Sequence, residues 1–349
     1  MAATASHTPA SPSPATGGGN AEPAFSVVVA NWNGGGVVGR CVGALVRAAR
    51  RAGGPYEIIV VDDASDDGSA AALERAFPAV RVLKNGRNRG FPVTANRGVS
   101  EAHGPIAILC NNDLLPEENF ITALLRPFAD EARFGRVFGV SARTLDWESG
   151  APNHVNMTGR WRRGRLELDY SSPPDYVPSH FVQGGACAVR REAFVRLGGF
   201  QHLFHPGYWE DYDLSYLALK AGLTNWYAPG AVALHIGQHS MRRRFGAARL
   251  SQVRRRNEWL WHWLNITDGR LLLEHGLWMG VHLARDVWRG DGAAAVKAFL
   301  EALRRLPAAL AERRRRAALI RRSDRQVLRF RRPDGHRRIS VDAAGGETA

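Results

Sequence analysis

Four groups of residues in the first 240 positions have the types that hold cations or move protons. Asp62 and Asp63 end the apolar run Ile58-Ile59-Val60-Val61. Asp113 follows the amides Asn111 and Asn112, Glu210-Asp211-x-Asp213 sets three carboxylates beside Trp209, and His235 follows a run that ends at Leu234. A carboxylate delivered beside a phosphate can hold a hard divalent cation, and a second carboxylate can take a proton from a hydroxyl as a general base. Each group also has a plainer use. Asn111, Asn112 and Asp113 could cap a helix beginning near Pro116. Acids in a first helical turn offset the macrodipole, and a single histidine is more often structural than a ligand.

The elements that must position these groups are legible in the hydrophobic pattern. Phe25 to Ala30, Pro55 to Val61, Val80 to Leu83, Ile106 to Cys110, Arg136 to Ala142, Phe181 to Arg190 and Tyr227 to Leu234 read as strands. Helices are expected up to about Ala52, over Ala70 to Phe77, in the latter part of Asn85 to Gly98, over Glu117 to Phe128, and from the acidic cluster at 210 to 213 as far as Gly222. Strand and helix alternating through short links predict right-handed βαβ units and an α/β fold with a mostly parallel central sheet. In open sheets of that kind ligands bind beyond the carboxyl ends of the strands, where these polar groups fall. Residues 143–180 lose the periodicity and gather Trp147, Trp161 and Tyr170 among arginines, a stretch expected to order around a ligand.

At 349 residues and 45% apolar content the chain is long enough for one large or two ordinary domains with a real core. Cys41, Cys110 and Cys187 are an odd number at wide spacing, which excludes a disulfide framework and a zinc site and suits a reducing compartment. The formal charge of +14 implies an acidic partner, and the excess lies beyond residue 240, in Arg242 to Arg244, Arg254 to Arg256, Arg313 to Arg316, Arg321 and Arg322. No apolar run approaches the roughly 18 to 20 residues of a membrane span. Residues 1 to 24 read as a disordered leader without a signal pattern, so the Asn-x-Thr matches at Asn156 and Asn265 are taken as accidental.

Two other functions compete. Gly34-x-Gly36-x-x-Gly39, with Asp62 following at the end of the second strand, formally matches the fingerprint of a Rossmann-type dinucleotide-dependent oxidoreductase. In that fingerprint the first glycine turns the chain straight out of the strand, whereas here Asn31-Trp32-Asn33 intervenes. A nucleic-acid-binding protein would suit the charge, yet no binding module is visible and the aromatic residues of the first 240 positions sit among carboxylates.

Taken in order, the motifs resemble those of the inverting glycosyltransferases of family 2, of the GT-A fold, nearest to bacterial rhamnosyltransferase-like members. The matching elements are Val-Val-Asp62-Asp63-Ala-Ser-Asp-Asp-Gly-Ser, Asn88-Arg-Gly90-Phe-x4-Asn96-x-Gly98, Asn111-Asn112-Asp113, Gly184-Gly185 with Arg190 and Gly198-Gly199-Phe200, Trp209-Glu210-Asp211-x-Asp213-Leu214, and His235-x4-Ser240. The resemblance implies transfer of a sugar, with inversion, from a nucleoside-diphosphate sugar (dTDP-rhamnose or a UDP-sugar) to a hydroxyl of a glycan or polyprenyl-linked acceptor. It implies Asp63 against the nucleotide's pyrimidine ring, the backbone near Ala30 and Asn31 lining that pocket, Asp62 supporting it, and Arg89, Asn96 and Asn112 near the donor. Asp113 would bind Mg²⁺ or Mn²⁺ with His235 as second ligand, Asp211 would be the general base, and Trp209, Glu210 and Asp213 would lie on the acceptor side. The sequence departs from the family's pattern at Asn111, where many members have Asp, and at Tyr216, where relatives often carry arginine.

Beyond Arg249, Trp259, Trp261, Trp263 and later apolar residues recur at helical spacing among arginines. Such helices either lie in an anionic membrane surface or pack on the core or on a second subunit of a homo-oligomer. The expected organisation is a leader over 1–24, a catalytic domain over 25–245, a basic amphipathic helical extension over 246–325 and a flexible tail over 326–349. No nucleic acid is expected as a partner. The expected location is cytoplasmic, peripheral on the inner face of the plasma membrane.

Overall fold

The computed structural model describes residues 22–237, 245–289 and 292–329. The chain starts with β1 (Phe25–Asn31), α1 (Gly35–Ala52), β2 (Tyr56–Asp62), α2 (Ser69–Ala76), β3 (Arg81–Lys84), α3 (Phe91–Glu101) and β4 (Ile106–Asn111). β3, β2, β1 and β4 pair in parallel in that spatial order. The sequence predicts these strands because runs such as Val27-Val28-Val29 and Ile58-Ile59-Val60-Val61 are buried on both faces. Side chains alternate across a strand, so Val27, Val29, Ile58, Val60 and Ile108 pack with α1, while Val28, Ile59, Val61 and Leu109 pack with α3 and later helices. That alternation makes the three-layer sandwich. A Cβ at Gly98 would run into Val28, so glycine is what lets α3 lie this close to the sheet.

β5 (Leu114–Pro116), α4 (Phe120–Leu125) and α5 (Glu131–Phe134) lead into β6 (Val137–Asp146) and the short β7 (Pro152–His154). A hairpin of β8 (Asn156–Arg162) and β9 (Arg165–Ser171) stands apart from the main sheet. β10 (Val177–Pro178), β11 (Ala186–Arg190), α6 (Arg191–Arg196), α7 (Glu210–Lys220) and β12 (Thr224–His235) complete the part of the chain that precedes the C-terminal helices. The sheet runs β10-β12-β6-β11-β4-β1-β2-β3, with β11 antiparallel to both neighbours and β6 parallel to β12. One edge therefore collects the carboxyl ends of β1, β2, β4, β6 and β12, which are Asn31, Asp62, Asn111, Asp146 and His235.

Two expectations are corrected by the packing. Residues 143–180 are ordered mainly by protein: Trp161 donates from Nε1 to Glu274 at 2.9 Å, and the β8–β9 turn is held by Glu274, His275 and His282 of a C-terminal helix. Trp259, Trp261 and Trp263 lie on α8 (Ala247–Asn265) and face inward rather than toward a membrane; Trp261 is fully buried against Tyr216 and Trp209. α9 (Gly269–Arg289) and α10 (Gly292–Arg316) follow, then α11 (Asp324–Leu328), which carries regular structure past residue 326, where the tail was expected to begin. The helices beyond 246 thus share an apolar cluster with the hairpin and α7. The three cysteines are buried free thiols. Ser240 of the last motif and Arg242 to Arg244 lie outside the described residues, as do 1–21 of the leader and 330–349 of the tail.

Candidate active site

The ends of β1, β2 and β4 are knitted together by amides and carboxylates. Asn31, buried, donates from Nδ2 to Asp62 Oδ1 at 2.8 Å and to Ser69 Oγ at 3.1 Å, and its Oδ1 accepts from Asn112 Nδ2 at 2.9 Å. Asp62 also accepts from the Ser65 backbone and hydroxyl, so it supports this corner from below. Asp63 accepts from Asn85 Nδ2 at 2.7 Å, from Arg89 N at 2.9 and 3.0 Å and from Gly90 N at 2.8 Å. A carboxylate has about four acceptor positions, and three donors of the chain, one of them shared between both oxygens, engage this one. Asp63 thereby clamps the loop that opens α3.

Arg89 keeps an exposed side chain at the lip of this corner. Asn96 joins α3 to the turn at Phe200: its Nδ2 donates to Phe200 O at 2.8 Å while its Oδ1 accepts from Phe200 N at 2.9 Å. Ala30, at the end of β1, is half-buried between Val61 and Asn111.

Asp113 does not cap a helix: β5 follows it, and α4 starts only at Phe120. Pairing of β5 with β12 and a backbone bond from Ile236 N to Asp113 O at 2.9 Å bring the two strand ends together. His235 Nε2 then stands 3.2 Å from Asp113 Oδ2, and Asn153 fixes the ring through Nδ1 at 2.8 Å. Burial pulls the His235 pKa down, but the hydrogen bond and charge of Asp113, with Asp146 behind it, outweigh burial and leave it raised. Asp113 Oδ1 is buried with no partner among the described residues. An orphaned carboxylate oxygen beside an imidazole nitrogen fits a divalent cation that takes its remaining ligands from phosphate and water.

Across the edge, Tyr208 and Trp209 both adopt left-handed backbone angles, φ 71° and 77°, and aim the first turn of α7 into the cleft. Left-handed conformations in residues with a Cβ are costly and collect at functional sites. Of the three acids there, Glu210 is 6% exposed and Asp213 0% exposed, while Asp211 is only partly buried. Asp213 gives its oxygens to Arg316 Nη1 and Nη2, both at 2.7 Å, and to Asn265 Nδ2 at 2.8 Å. Its expected place on the acceptor side is therefore corrected: it ties α7 to α8 and α10. Tyr216 likewise bonds Asp324 at 3.0 Å instead of facing the cleft.

Asp211 Oδ2 accepts from Gly184 N at 3.1 Å, and Oδ1 from its neighbour Tyr212 N at 2.9 Å. Burial raises its pKa and the backbone donors only partly offset this. Burial, together with the charges of Asp211 and Asp213, pushes the Glu210 pKa well up, and its Oε2 has no partner among the described residues. A Cβ at Gly185 would strike Asn111, so the Gly184-Gly185 pair lets β11 pass between the β4 end and α7. Sequence reasoning missed Asn153, Asn85 and Arg316. Asn153 and Arg316 stand 82 and 103 residues from the groups they hold, and Asn85 is 22 from Asp63, with no motif to mark any of them.

The apparent dinucleotide fingerprint serves another purpose. Gly35 N donates to Asp67 Oδ2 at 2.7 Å, so a protein carboxylate already sits where a pyrophosphate would lie. A Cβ at Gly39 would meet nothing, so the close helix packing that the third glycine should permit is absent.

Residues 26–198 match the family model of glycosyl transferase family 2. N-acetylglucosaminyl-diphospho-decaprenol L-rhamnosyltransferase of Mycobacterium tuberculosis is 28% identical over 211 residues, 53% of this chain and 68% of the relative. N-acetylgalactosaminyltransferase 7 of Drosophila melanogaster is 25% identical over 215 residues, 55% of this chain and 35% of that longer protein. Among solved structures, GalNAc-T7 with UDP, GalNAc and Mn²⁺ superposes with a TM-score of 0.57 at 18% identity, over 71% of this chain and 49% of that one. S. aureus TarS 1-349 superposes with a TM-score of 0.52 at 14% identity, over 85% and 83% of the two chains.

Proposed function

Because the chain belongs to glycosyl transferase family 2 and is a glycosyltransferase of the GT-A fold, we propose that it transfers a sugar, with inversion, from a nucleoside-diphosphate sugar to a hydroxyl of a lipid-linked glycan. The observation that carries this reading is the pairing of two corners on one sheet edge. One holds Asp113 and His235 with an unsatisfied oxygen, and the other presents a single accessible carboxylate, Asp211. The relative in Mycobacterium tuberculosis is named for an N-acetylglucosaminyl-diphospho-decaprenol acceptor and an L-rhamnosyl group, which favours a polyprenyl-diphosphate glycan and dTDP-rhamnose over other pairs.

In this reading Asn31, Asp62 and Asn112 shape the floor of the nucleotide pocket beside Ala30, and Arg89 meets the donor at the lip. Asp113 and His235 would hold Mg²⁺ or Mn²⁺, which as a Lewis acid neutralises charge on the departing diphosphate. Inversion in one displacement needs a base on the acceptor side and no covalent nucleophile. Asp211 takes the acceptor's hydroxyl proton; its raised pKa makes it a stronger base than an exposed aspartate. Glu210, whose pKa burial raises beside Asp211, brings to the acceptor side a carboxyl oxygen that has no partner among the described residues. Trp209 supplies an apolar wall next to Tyr212, ring centroids 5.1 Å apart.

The test is a matrix of UDP-, dTDP- and GDP-sugars against a polyprenyl-diphospho-N-acetylglucosamine acceptor, with Mn²⁺ or EDTA. Metal-dependent formation of a product with inverted anomeric configuration is expected from one donor class. Retention of configuration, or transfer undiminished in EDTA, would overturn the reading.

A further inference from the structure

The outward face of α9 has no partner among the described residues. Leu273, Leu277, Val281 and Trp288 are 66%, 72%, 54% and 84% exposed, and their spacing puts them on one stripe of the helix. Gly276 and Gly280 lie between them and add no polar group. α10 extends the apolar surface with Val296 and Leu300, and Val287 of α9 joins them around an open groove of about 590 Å³. Soluble monomers rarely expose contiguous apolar surface on this scale without using it.

The charges choose the occupant. Every acid within the described residues of α9 and α10 is engaged by the chain itself. Glu274 accepts from Trp161 and Gly164, Glu301 from Arg249 and Gln252, Glu312 from Arg316, and Asp286 stands 3.8 Å from Arg285. Arg270, Lys297 and Arg304 stay exposed around the apolar surface. A second copy would set these cations against each other, whereas an anionic bilayer accepts both the apolar stripe and its cationic border. No helix among the described residues is long and apolar enough to cross a membrane, so the contact would lie in the plane of the interface.

We propose that α9 and α10 form an in-plane docking surface for an anionic lipid bilayer. The surface is connected to the cleft: Glu274 and His275 of α9 hold the β8–β9 hairpin, whose Tyr170 pairs with Tyr212 beside Asp211. The inference rests on the lipid-linked acceptor reading in one respect, that docking brings the base to the layer where such an acceptor presents its glycan.

Flotation of the full chain with phosphatidylcholine vesicles, with and without phosphatidylglycerol, tests it. Binding is expected only with phosphatidylglycerol and should weaken in high salt. Leu273→Ser, Leu277→Ser and Trp288→Ser together should weaken it by about tenfold or more. Arg270→Glu, Lys297→Glu and Arg304→Glu together should weaken it by about 100-fold. Undiminished binding by the apolar variant, or a wild-type dimer that this variant splits while no form binds vesicles, would overturn the proposal; the second outcome would make a second copy the occupant. Circular dichroism and hydrolysis of the donor sugar in solution are expected unchanged in both variants. Absence of transfer to a detergent-solubilised acceptor from every donor class, by the wild type and both variants alike, would sink the transferase reading whatever the vesicles show.

Discussion

Arg316, in the last turn of α10, grips both carboxylate oxygens of Asp213 at 2.7 Å, and Asp213 sits two residues beyond Asp211 in the first turn of α7. The C-terminal helices are thereby fastened to the turn that aims Asp211. A second lock lies at the other end of α7, where Lys220 Nζ meets Asp324 Oδ1 at 2.8 Å, both buried.

Arg316→Met leaves Asp213 buried without its cation, and removal of one partner of such a pair costs about 3–5 kcal/mol. Urea unfolding should show that loss, and Arg316→Met with Asp213→Leu should recover most of it, because two well-packed apolar groups need no desolvation of charge. A double variant as unstable as the single one would mean that the pair is not the source of the effect.

Asp211→Asn keeps the side chain's shape and one of its two backbone contacts, because the amide oxygen can still accept from Gly184 N or Tyr212 N while the amide nitrogen cannot, and it removes the proton acceptor. Turnover should fall by about 10²–10⁴-fold, with donor affinity by calorimetry nearly unchanged. Near-normal turnover would remove Asp211 from the role of base.

Asp113→Ala should weaken nucleotide binding when Mg²⁺ or Mn²⁺ is present and leave the weaker binding in EDTA as it was. An equal loss in both conditions would mark Asp113 as structural. The readout is nucleotide affinity alone, so it is independent of the acceptor's identity.

His235 has a raised pKa, so a proton competes with any cation for Nε2. The sign follows directly. The stabilisation that protonated His235 draws from Asp113 is fully present below the unfolded-state value of about 6.5 and is lost as pH climbs through the raised folded value. Metal-free wild type should therefore gain stability over His235→Asn in mildly acidic solution and lose that advantage above neutrality. Mn²⁺ affinity should move the other way, rising with pH in the wild type and staying flat in His235→Asn, as electron paramagnetic resonance titrations at several pH values would reveal.

Much of the site was legible in the sequence because strand ends announce themselves. An apolar β-branched run that stops on Asp62, on Asn111 to Asp113 or on His235 puts that residue at the carboxyl edge whatever else the chain does. The same local pattern covers the three-layer α/β sandwich, since alternation within β1 and β2 dictates two buried faces.

What the sequence determined by itself, then, was which residues reach the edge. Only the tertiary structure decided which of them remain available there. Asp63 and Asn96 occupy motif positions, yet both are engaged by the chain itself, Asp63 by Asn85, Arg89 and Gly90 and Asn96 by Phe200. Asp213 lies within three residues of Glu210 and Asp211 but is claimed by Arg316 from about a hundred positions away. Trp261, which helical spacing on its own offers to a membrane, faces the core, and the exposed apolar face falls on α9 instead. The physical reason is common to all of these. Periodicity and motif spacing record the local backbone, whereas a buried acceptor's last lone pair, or the side of a helix that meets water, depends on partners that only the folded chain brings into contact.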